Sequence, residues 1–181
     1  MTVRLHGRRG SLDRRRLRQQ AARLLRELGC PRAELSIALV DDETIVELNE
    51  RYRGIGGPTD VLSFSLVDGV HAQHRGALLG DVVVSLDTAA VQARRARRTL
   101  DDEVLSLLIH GTLHLLGHDH ERDDEARRMR AEERRVWKAL QAGEAGAQPA
   151  RPRSGRAARR SRAKSGRPQR VEGERRSDRW R

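Results

Sequence analysis

One eleven-residue segment, from His110 to His120, contains four of the seven histidines of this 181-residue chain. It reads His-Gly-Thr-Leu-His-Leu-Leu-Gly-His-Asp-His. His110 and His114 are four residues apart, so on a helix their imidazoles project from one face, about one turn apart. Gly117 can adopt the left-handed backbone conformation that ends a helix, and a turn there would bring His120 towards the same point. The segment therefore predicts a histidine-bearing helix that is followed immediately by a tight turn.

This spacing favours a catalytic metal site. Three imidazoles that leave one coordination position open for water are typical of catalytic zinc, whereas structural zinc is usually closed by four protein ligands. The only cysteine, Cys30, is far away in sequence, which excludes a cysteine-rich structural site. We therefore predict one Zn²⁺ per chain, bound by His110, His114 and His120.

The same spacing, HxxxHxxGxxH, is also the metal-binding frame of the metzincin proteases. In those enzymes a glutamate follows the first histidine and acts as the general base in peptide hydrolysis. Here that position is Gly111. A peptidase built on this frame would lack its base, so a metallopeptidase is the weaker of the two catalytic interpretations.

Three upstream blocks accompany the histidine segment. They are Leu48-Asn-Glu-Arg-Tyr-Arg53, Pro58-Thr-Asp-Val-Leu-Ser-Phe64 and Leu79-Gly-Asp-Val-Val-Val-Ser85. Together, and in this order, the four blocks resemble the YbeY family of bacterial endoribonucleases, which are rRNA maturation factors. The resemblance runs from about Leu35 to Trp137.

The resemblance implies a function and a set of site residues. Members of the family are single-domain, zinc-dependent nucleases for single-stranded RNA, acting in 16S rRNA 3′-end maturation and ribosome quality control. The implied partners are single-stranded RNA, rRNA and the small ribosomal subunit. The metal histidines of the family correspond to His110, His114 and His120, and its functional arginine corresponds to Arg53, where a guanidinium would stabilise charge on the phosphoryl oxygens.

The chain departs from the family pattern at two positions. The family usually has an aromatic residue where this chain has His118, and commonly proline where it has Ser65. His118 is four residues after His114, so it would be an alternative ligand if the helix continued through Gly117. We expect Gly117 to end the helix first.

Carboxylates near the site are candidates for orienting the metal ligands. Histidines that bind metals normally donate their second N–H to a carboxylate or a carbonyl group. Asp81 fits that role as well as it fits a turn cap, and Asp119 is the other candidate, although it more readily caps the turn. For Asp60 we favour a turn cap.

The charge is unevenly distributed along the chain. The net charge is +11, but residues 141–181 alone carry 13 basic and 4 acidic residues. This segment is rich in glycine, proline, serine, alanine and arginine and has almost no aliphatic side chains, so we expect disorder from about residue 142. The sequence thus predicts a nuclease domain over residues 1–140 and a basic tail over residues 141–181.

Cysteine content and hydropathy set the expected compartment. A single cysteine excludes a disulfide framework and suits a reducing environment. No apolar run approaches the length needed to span a membrane, and the first residues lack the apolar core of a signal peptide. We therefore expect a cytoplasmic protein without a membrane partner.

Hydrophobic periodicity predicts an α+β fold, an α/β sandwich in which a small mixed four-stranded sheet packs with about five helices, one of them a zincin-like metal helix. The predicted strands are 3–5, 35–40, 61–66 and 81–85, with a polar loop over 68–77. The predicted helices are 12–28, 44–52, 87–98, 101–116 and 123–140.

A third interpretation is a non-catalytic ribosome-assembly factor with a structural zinc, because the sequence shows no obvious general base. Cleavage of single-stranded RNA by the metal-loaded protein, which an Arg53→Ala variant should lose, separates this interpretation from the nuclease.

The tail generates the first testable prediction. Because its net charge of +9 is carried on a segment that we expect to be disordered, it should contact several phosphates and release their counterions. Truncation at Ala142 should weaken RNA binding chiefly at low salt and flatten the plot of log affinity against log salt, while turnover at saturating RNA survives. Binding titrations over a range of salt concentrations measure this; equal affinities and slopes would show that the tail takes no part in binding.

Overall fold

The computed structural model describes residues 2–7, 12–65, 77–118 and 122–145, and in these segments the chain forms four strands and five helices. The strands are β1 (Thr2–Gly7), β2 (Glu34–Val40), β3 (Val61–Ser65) and β4 (Leu78–Ser85). The helices are α1 (Arg14–Glu27), α2 (Asp42–Arg53), α3 (Leu86–Ala96), α4 (Leu100–Leu115) and α5 (Asp123–Ala145).

The strands form one mixed sheet in the order β1-β2-β4-β3. β2 is parallel to both β1 and β4, whereas β3 runs antiparallel to β4. In this register Val82 on β4 lies between Ile37 on β2 and Ser63 on β3. The mixed four-stranded sheet, the five helices and the α+β class predicted from the sequence are confirmed.

Apolar side chains cover both faces of the sheet. On β2, alternate residues Leu35, Ile37 and Leu39 are fully buried, as the period of two along a strand requires. They belong to the main core, together with the apolar stripes of α1 and α5 and most of α4. Ile45 on α2 packs against the opposite face, in a smaller cluster with Leu62 and Val83. The sheet is therefore the middle layer of a sandwich.

Helix α4 is the central helix of the main core. Apolar residues occur all round it, and most of its side chains, from Val104 to Leu115, are buried. A helix that is hydrophobic on every side is stable only where other elements surround it. The sheet, α1, α3 and α5 all contact α4, so the two histidines near its carboxyl end are carried by a rigid element.

The sheet and α4 are in close contact at Gly111. A Cβ atom on this residue would lie 2.8 Å from Ser63 Oγ and 2.9 Å from Val82 Cγ1. A side chain at this position would therefore force a shift in the packing of α4 on β3 and β4.

Helix α2 begins two residues before and ends one residue after the predicted helix 44–52. The Asp41 carboxylate accepts a hydrogen bond from the backbone N–H of Thr44, as an aspartate at an N-cap does. Gly54 ends the helix in the left-handed conformation, with a φ of 68°. Arg53 is the last residue of α2 and enters the loop that leads to β3.

Element bounds differ from the prediction at several ends. β4 begins three residues before the predicted Asp81 because Leu78 and Leu79 pack as strand residues. α5 continues five residues beyond the predicted end at Leu140, so residues 142–145, which we expected to be disordered, are helical. The rest of the predicted tail and most of the loop predicted over residues 68–77 lie outside the described residues. Among the described helices, none has both the length and the apolar character required to cross a membrane.

The start of α2 predicts a pH-dependent contribution to stability. The half-buried Asp42 carboxylate accepts hydrogen bonds from the hydroxyls of Ser85 and Thr88, and the Ser85 bond is the largest cause that holds the Asp42 pKa below its usual value of 3.8. Because the folded-state pKa is depressed, this stabilisation is present above the unfolded pKa and is lost as the pH falls through the folded value. Asp42→Asn should lower the free energy of unfolding by about 1 kcal/mol at pH 7.

Urea denaturation at several pH values tests this. The difference between the parent and Asp42→Asn should be constant at neutral pH and should shrink below about pH 4. Glu43→Gln is the matched control, since Glu43 is exposed in the same first turn. A difference that persists unchanged into acid would contradict the assignment.

The contact at Gly111 generates a second stability prediction. Gly111→Ala should destabilise the fold by about 1–3 kcal/mol, because the methyl group forces α4 away from the sheet. Gly56→Ala is the control, since a Cβ there meets no atom within 4 Å. Equal urea midpoints for the two variants would show that α4 is less tightly seated than the structure indicates.

Candidate active site

His110 and His114 place their imidazoles side by side near the end of α4. The two Nε2 atoms are 3.2 Å apart, and the ring centroids are 4.7 Å apart with the planes at 80°. Both side chains are half-buried. This separation suits either an N–H···N hydrogen bond or two nitrogens that share one metal ion, so the one-face arrangement expected from the spacing is present.

The turn after α4 forms as the glycine predicts. Gly117 has a φ of 84°, and its N–H donates to the carbonyl of His114 while the N–H of His118 donates to that of Leu113. This pair of bonds is typical of a glycine-terminated helix. The helix therefore does not continue through Gly117, and this expectation is confirmed.

The turn also determines the surroundings of His118. It is half-buried and electrostatically close to Glu132 on α5, whose pKa is lowered first by a hydrogen bond from Arg135 and in smaller part by His118. His118 is not among the described residues that line the pocket next to His110 and His114.

Two of the predicted site residues, His120 and Asp119, lie outside the described residues. In the part of the chain that the structure describes, no three His, Cys, Asp or Glu side chains form a group suited to a metal. The described donors are the two α4 imidazoles, and the third ligand remains a prediction that rests on the sequence.

Glu133 is a site residue that the sequence did not indicate. Its Oε1 is 2.8 Å from Nδ1 of His110, across the contact between α5 and α4. A carboxylate that accepts the Nδ1 proton leaves Nε2 with its lone pair directed into the site. Glu133 stands in a run of charged residues on α5, so no sequence signal distinguishes it from its solvated neighbours.

The carboxylate beside His110 is thus on α5. Asp81, the candidate on β4, pairs in the sheet with Ser36 and Phe64 and is not among the described residues that line the pocket. Its role as an orienting carboxylate, like that of Asp119, stays a prediction.

A pocket of about 240 Å³ opens beside the two histidines and brings Arg53 to them. Its described lining comes from the end of α2, from α4, and from β3 with the loop before it, and it consists of Arg53, Thr59, Asp60, Val61, Ser63, His110 and His114. The pocket therefore joins the predicted arginine with two of the predicted ligands, although Arg53 and His110 are 57 positions apart in sequence. Arg53 is exposed, so its guanidinium is accessible to an anionic ligand.

Asp60 is held in place by several hydrogen bonds. Oδ1 accepts from the backbone N–H of Val61 at 2.9 Å, and Oδ2 accepts from Nε2 of Gln92 at 2.9 Å. The first bond confirms the turn-cap role expected for Asp60. Sequence reasoning missed that the same carboxylate lines the pocket, together with Thr59 and Ser63.

The loop that leads from Arg53 to the pocket is tied back to its own helix. Asn49, which is buried on α2, donates from Nδ2 to the carbonyl of Gly57 at 3.1 Å. This bond fixes the path of the loop relative to α2. The end of α2 therefore positions both Arg53 and the loop that leads to the pocket.

The comparisons with known proteins show which family the chain belongs to. Residues 6–141 match the sequence model of the family described as Endoribonuclease YbeY. An Endoribonuclease YbeY from Anaeromyxobacter sp. (strain Fw109-5) is 50% identical over 141 residues, which cover 77% of this chain and 72% of the relative. Another, from Geobacter sulfurreducens, is 43% identical over 131 residues, covering 71% and 87% of the two chains.

A solved structure shares the fold. The solution structure of TM1509 from Thermotoga maritima matches with a TM-score of 0.56 at 26% sequence identity, over 80% of this chain and 92% of that one. The family match runs from residue 6 to residue 141 and includes every element that lines the pocket. The chain therefore belongs to the YbeY endoribonuclease family.

Proposed function

We propose that this protein is a zinc-dependent endoribonuclease that cleaves single-stranded RNA in the cytoplasm and acts in 16S rRNA 3′-end maturation and in ribosome quality control on the small ribosomal subunit. The observation that carries the proposal is the single pocket in which Arg53 faces the paired imidazoles of His110 and His114. The endoribonuclease names of its relatives support RNA as the substrate.

The donor set fits a zinc ion. Two nitrogens bound about 2.0–2.1 Å from a tetrahedral zinc lie about 3.3 Å from each other. The Nε2 atoms of His110 and His114 are 3.2 Å apart, and Glu133 accepts from the far side of the His110 ring. His110, His114 and His120 would hold the ion. When bound, it would supply a Lewis acid that lowers the pKa of water to about 7.

The side chains of the protein perform the remaining tasks. The guanidinium of Arg53 binds the phosphoryl oxygens, where negative charge builds up as the phosphodiester is cleaved, and its fixed donors stabilise that charge. Glu133 retains the proton on Nδ1 of His110, which keeps that ring in the tautomer and orientation that a ligand needs. Thr59 and Ser63 offer hydroxyls at the pocket wall to the sugar-phosphate backbone.

The packing of α4 argues against a metallopeptidase. The protease frame requires a glutamate after the first histidine, but here a Cβ at position 111 would already meet Ser63 and Val82. Side chains of the sheet occupy the space that a glutamate side chain at position 111 would need. A peptidase would therefore need a base from elsewhere in the pocket.

Arg53→Ala provides the sharpest test of the nuclease. The variant should cleave labelled single-stranded RNA about 10²- to 10³-fold more slowly than the parent. Its zinc content and thermal midpoint should remain at the parental values, because Arg53 contacts phosphate and not the metal. Arg51→Ala is the matched control, since Arg51 lies in the same last turn but outside the described lining of the pocket. If Arg53→Ala, prepared in the same way, cleaves RNA at the rate of the parent, the proposal is overturned.

Metal analysis of the same protein separates the nuclease from its alternatives. His110→Ala and His114→Ala should lose zinc, and His118→Ala should retain it. Full zinc retention in either of the first two variants would contradict the ligand assignment. A metal-loaded parent that leaves RNA intact would favour an assembly factor, and one that cleaves peptides instead would favour a peptidase.

A further inference from the structure

A second pocket, also of about 240 Å³, lies between α4 and α5 on the other side of Glu133. Trp137 forms its aromatic wall and Ile109 contributes apolar surface. We call it the Trp137 pocket. Glu133 lines it and also bonds His110, which lines the candidate active site, so this pair of side chains links the two pockets.

Planar groups dominate the Trp137 pocket. The Trp137 ring is half-buried, with part of its surface packed on the main core. The guanidinium carbon of Arg98 is 5.8 Å from the ring centroid. Indole and guanidinium planes are the surfaces on which proteins stack unpaired bases. The volume is below the roughly 300 Å³ at which pockets for whole small molecules begin, which suits a single base.

The rim of the pocket carries uncompensated positive charge. Arg134 and Lys138 are both exposed, and within the described segments neither forms an ion pair. They are four residues apart on α5, so two like charges face each other on one side of the helix, an arrangement that disfavours the helix unless an anion lies nearby. Arg127 and Arg130 extend this side towards the amino end of α5, and the four cations span about 16 Å of helix.

We propose that the Trp137 pocket binds one base of single-stranded RNA while Arg134 and Lys138 contact the adjoining phosphates, so that the strand runs along α5 into the candidate active site. The inference rests on the proposed function, because it assumes that the bound strand is the nuclease substrate. It assigns to α5 the role of a substrate-binding helix. A protein partner would not require a stacking surface beside a row of phosphate-binding cations.

The intrinsic fluorescence of Trp137 provides a direct readout. The chain contains two tryptophans, Trp137 and Trp180, so the full-length, metal-loaded Trp180→Phe protein reports on Trp137 alone. Titration with a nuclease-resistant single-stranded oligonucleotide (2′-O-methyl, phosphorothioate) should give saturable quenching. The same oligonucleotide with abasic sites should bind more weakly and should not quench.

Charge and stacking variants should give different signatures. Arg134→Gln/Lys138→Gln should raise Kd several-fold at low salt and reduce the slope of log affinity against log salt by about 1.4, since each phosphate contact on a single strand contributes about 0.7. Trp137→Leu should raise Kd about tenfold at an unchanged salt slope, and Trp137→Phe should restore most of the affinity. Arg26→Gln/Arg32→Gln, two exposed arginines outside both pockets, is the charge-matched control.

The outcomes distinguish this proposal from the proposed function. If the parent fails to cleave RNA but the titrations behave as described, the nuclease assignment fails and the Trp137 pocket stands. If the parent cleaves RNA but quenching is absent, and the Arg134/Lys138 variant matches the Arg26/Arg32 control, the Trp137 pocket does not bind RNA. With that second result, the Trp137 pocket and its rim would be a surface for a protein partner instead. If Trp137→Leu does not fold, the Arg134→Gln/Lys138→Gln variant still tests RNA binding at this pocket. Both of its side chains are exposed, so their replacement should not disturb the fold.

Discussion

The seating of α4 directly on β3 and β4 is the contact on which the rest of the structure depends. It is made at Gly111, where even a Cβ atom would meet Ser63 and Val82 at less than 3 Å. Since Gly111 directly follows His110, the contact that anchors the helix also sets the height of the imidazoles above the sheet. Ser63, which meets Gly111, lines the pocket as well, so the packing contact and the pocket wall share a residue.

The parts of the structure that depend on short sequence separations were predictable. The Asp41 cap, the one-face placement of His110 and His114 and the turn at Gly117 each follow from the conformational preferences of a few adjacent residues. The mixed sheet followed from the alternation of strand and helix patterns. None of these required knowledge of which elements touch.

The parts that depend on tertiary contact were not predictable. Glu133 is one carboxylate among many on α5, and only the packing of α5 on α4 selects it. The packing of α5 could not be read from the sequence, so the sequence offered Asp81 and Asp119 as orienting carboxylates and gave no reason to consider Glu133. The end of α5 was misplaced for a different reason. The prediction ended the helix where the composition changes, but Ala142, Glu144 and Ala145 have high helix propensity and α5 continues through Gly143 to Ala145.

The pocket is assembled from distant parts of the chain. Arg53 ends α2, Ser63 is on β3, the histidines are on α4, and the carboxylate that orients His110 is near the middle of α5. Chains fold from the amino terminus as they are synthesised, so β1, α1 and β2 can associate long before α5 exists. The site becomes complete only when α5 has been made and has docked. Because the last of its site residues are synthesised late, a nuclease of this kind has no ordered active site during most of its own translation. That is the period in which the nascent chain is closest to the surrounding RNA.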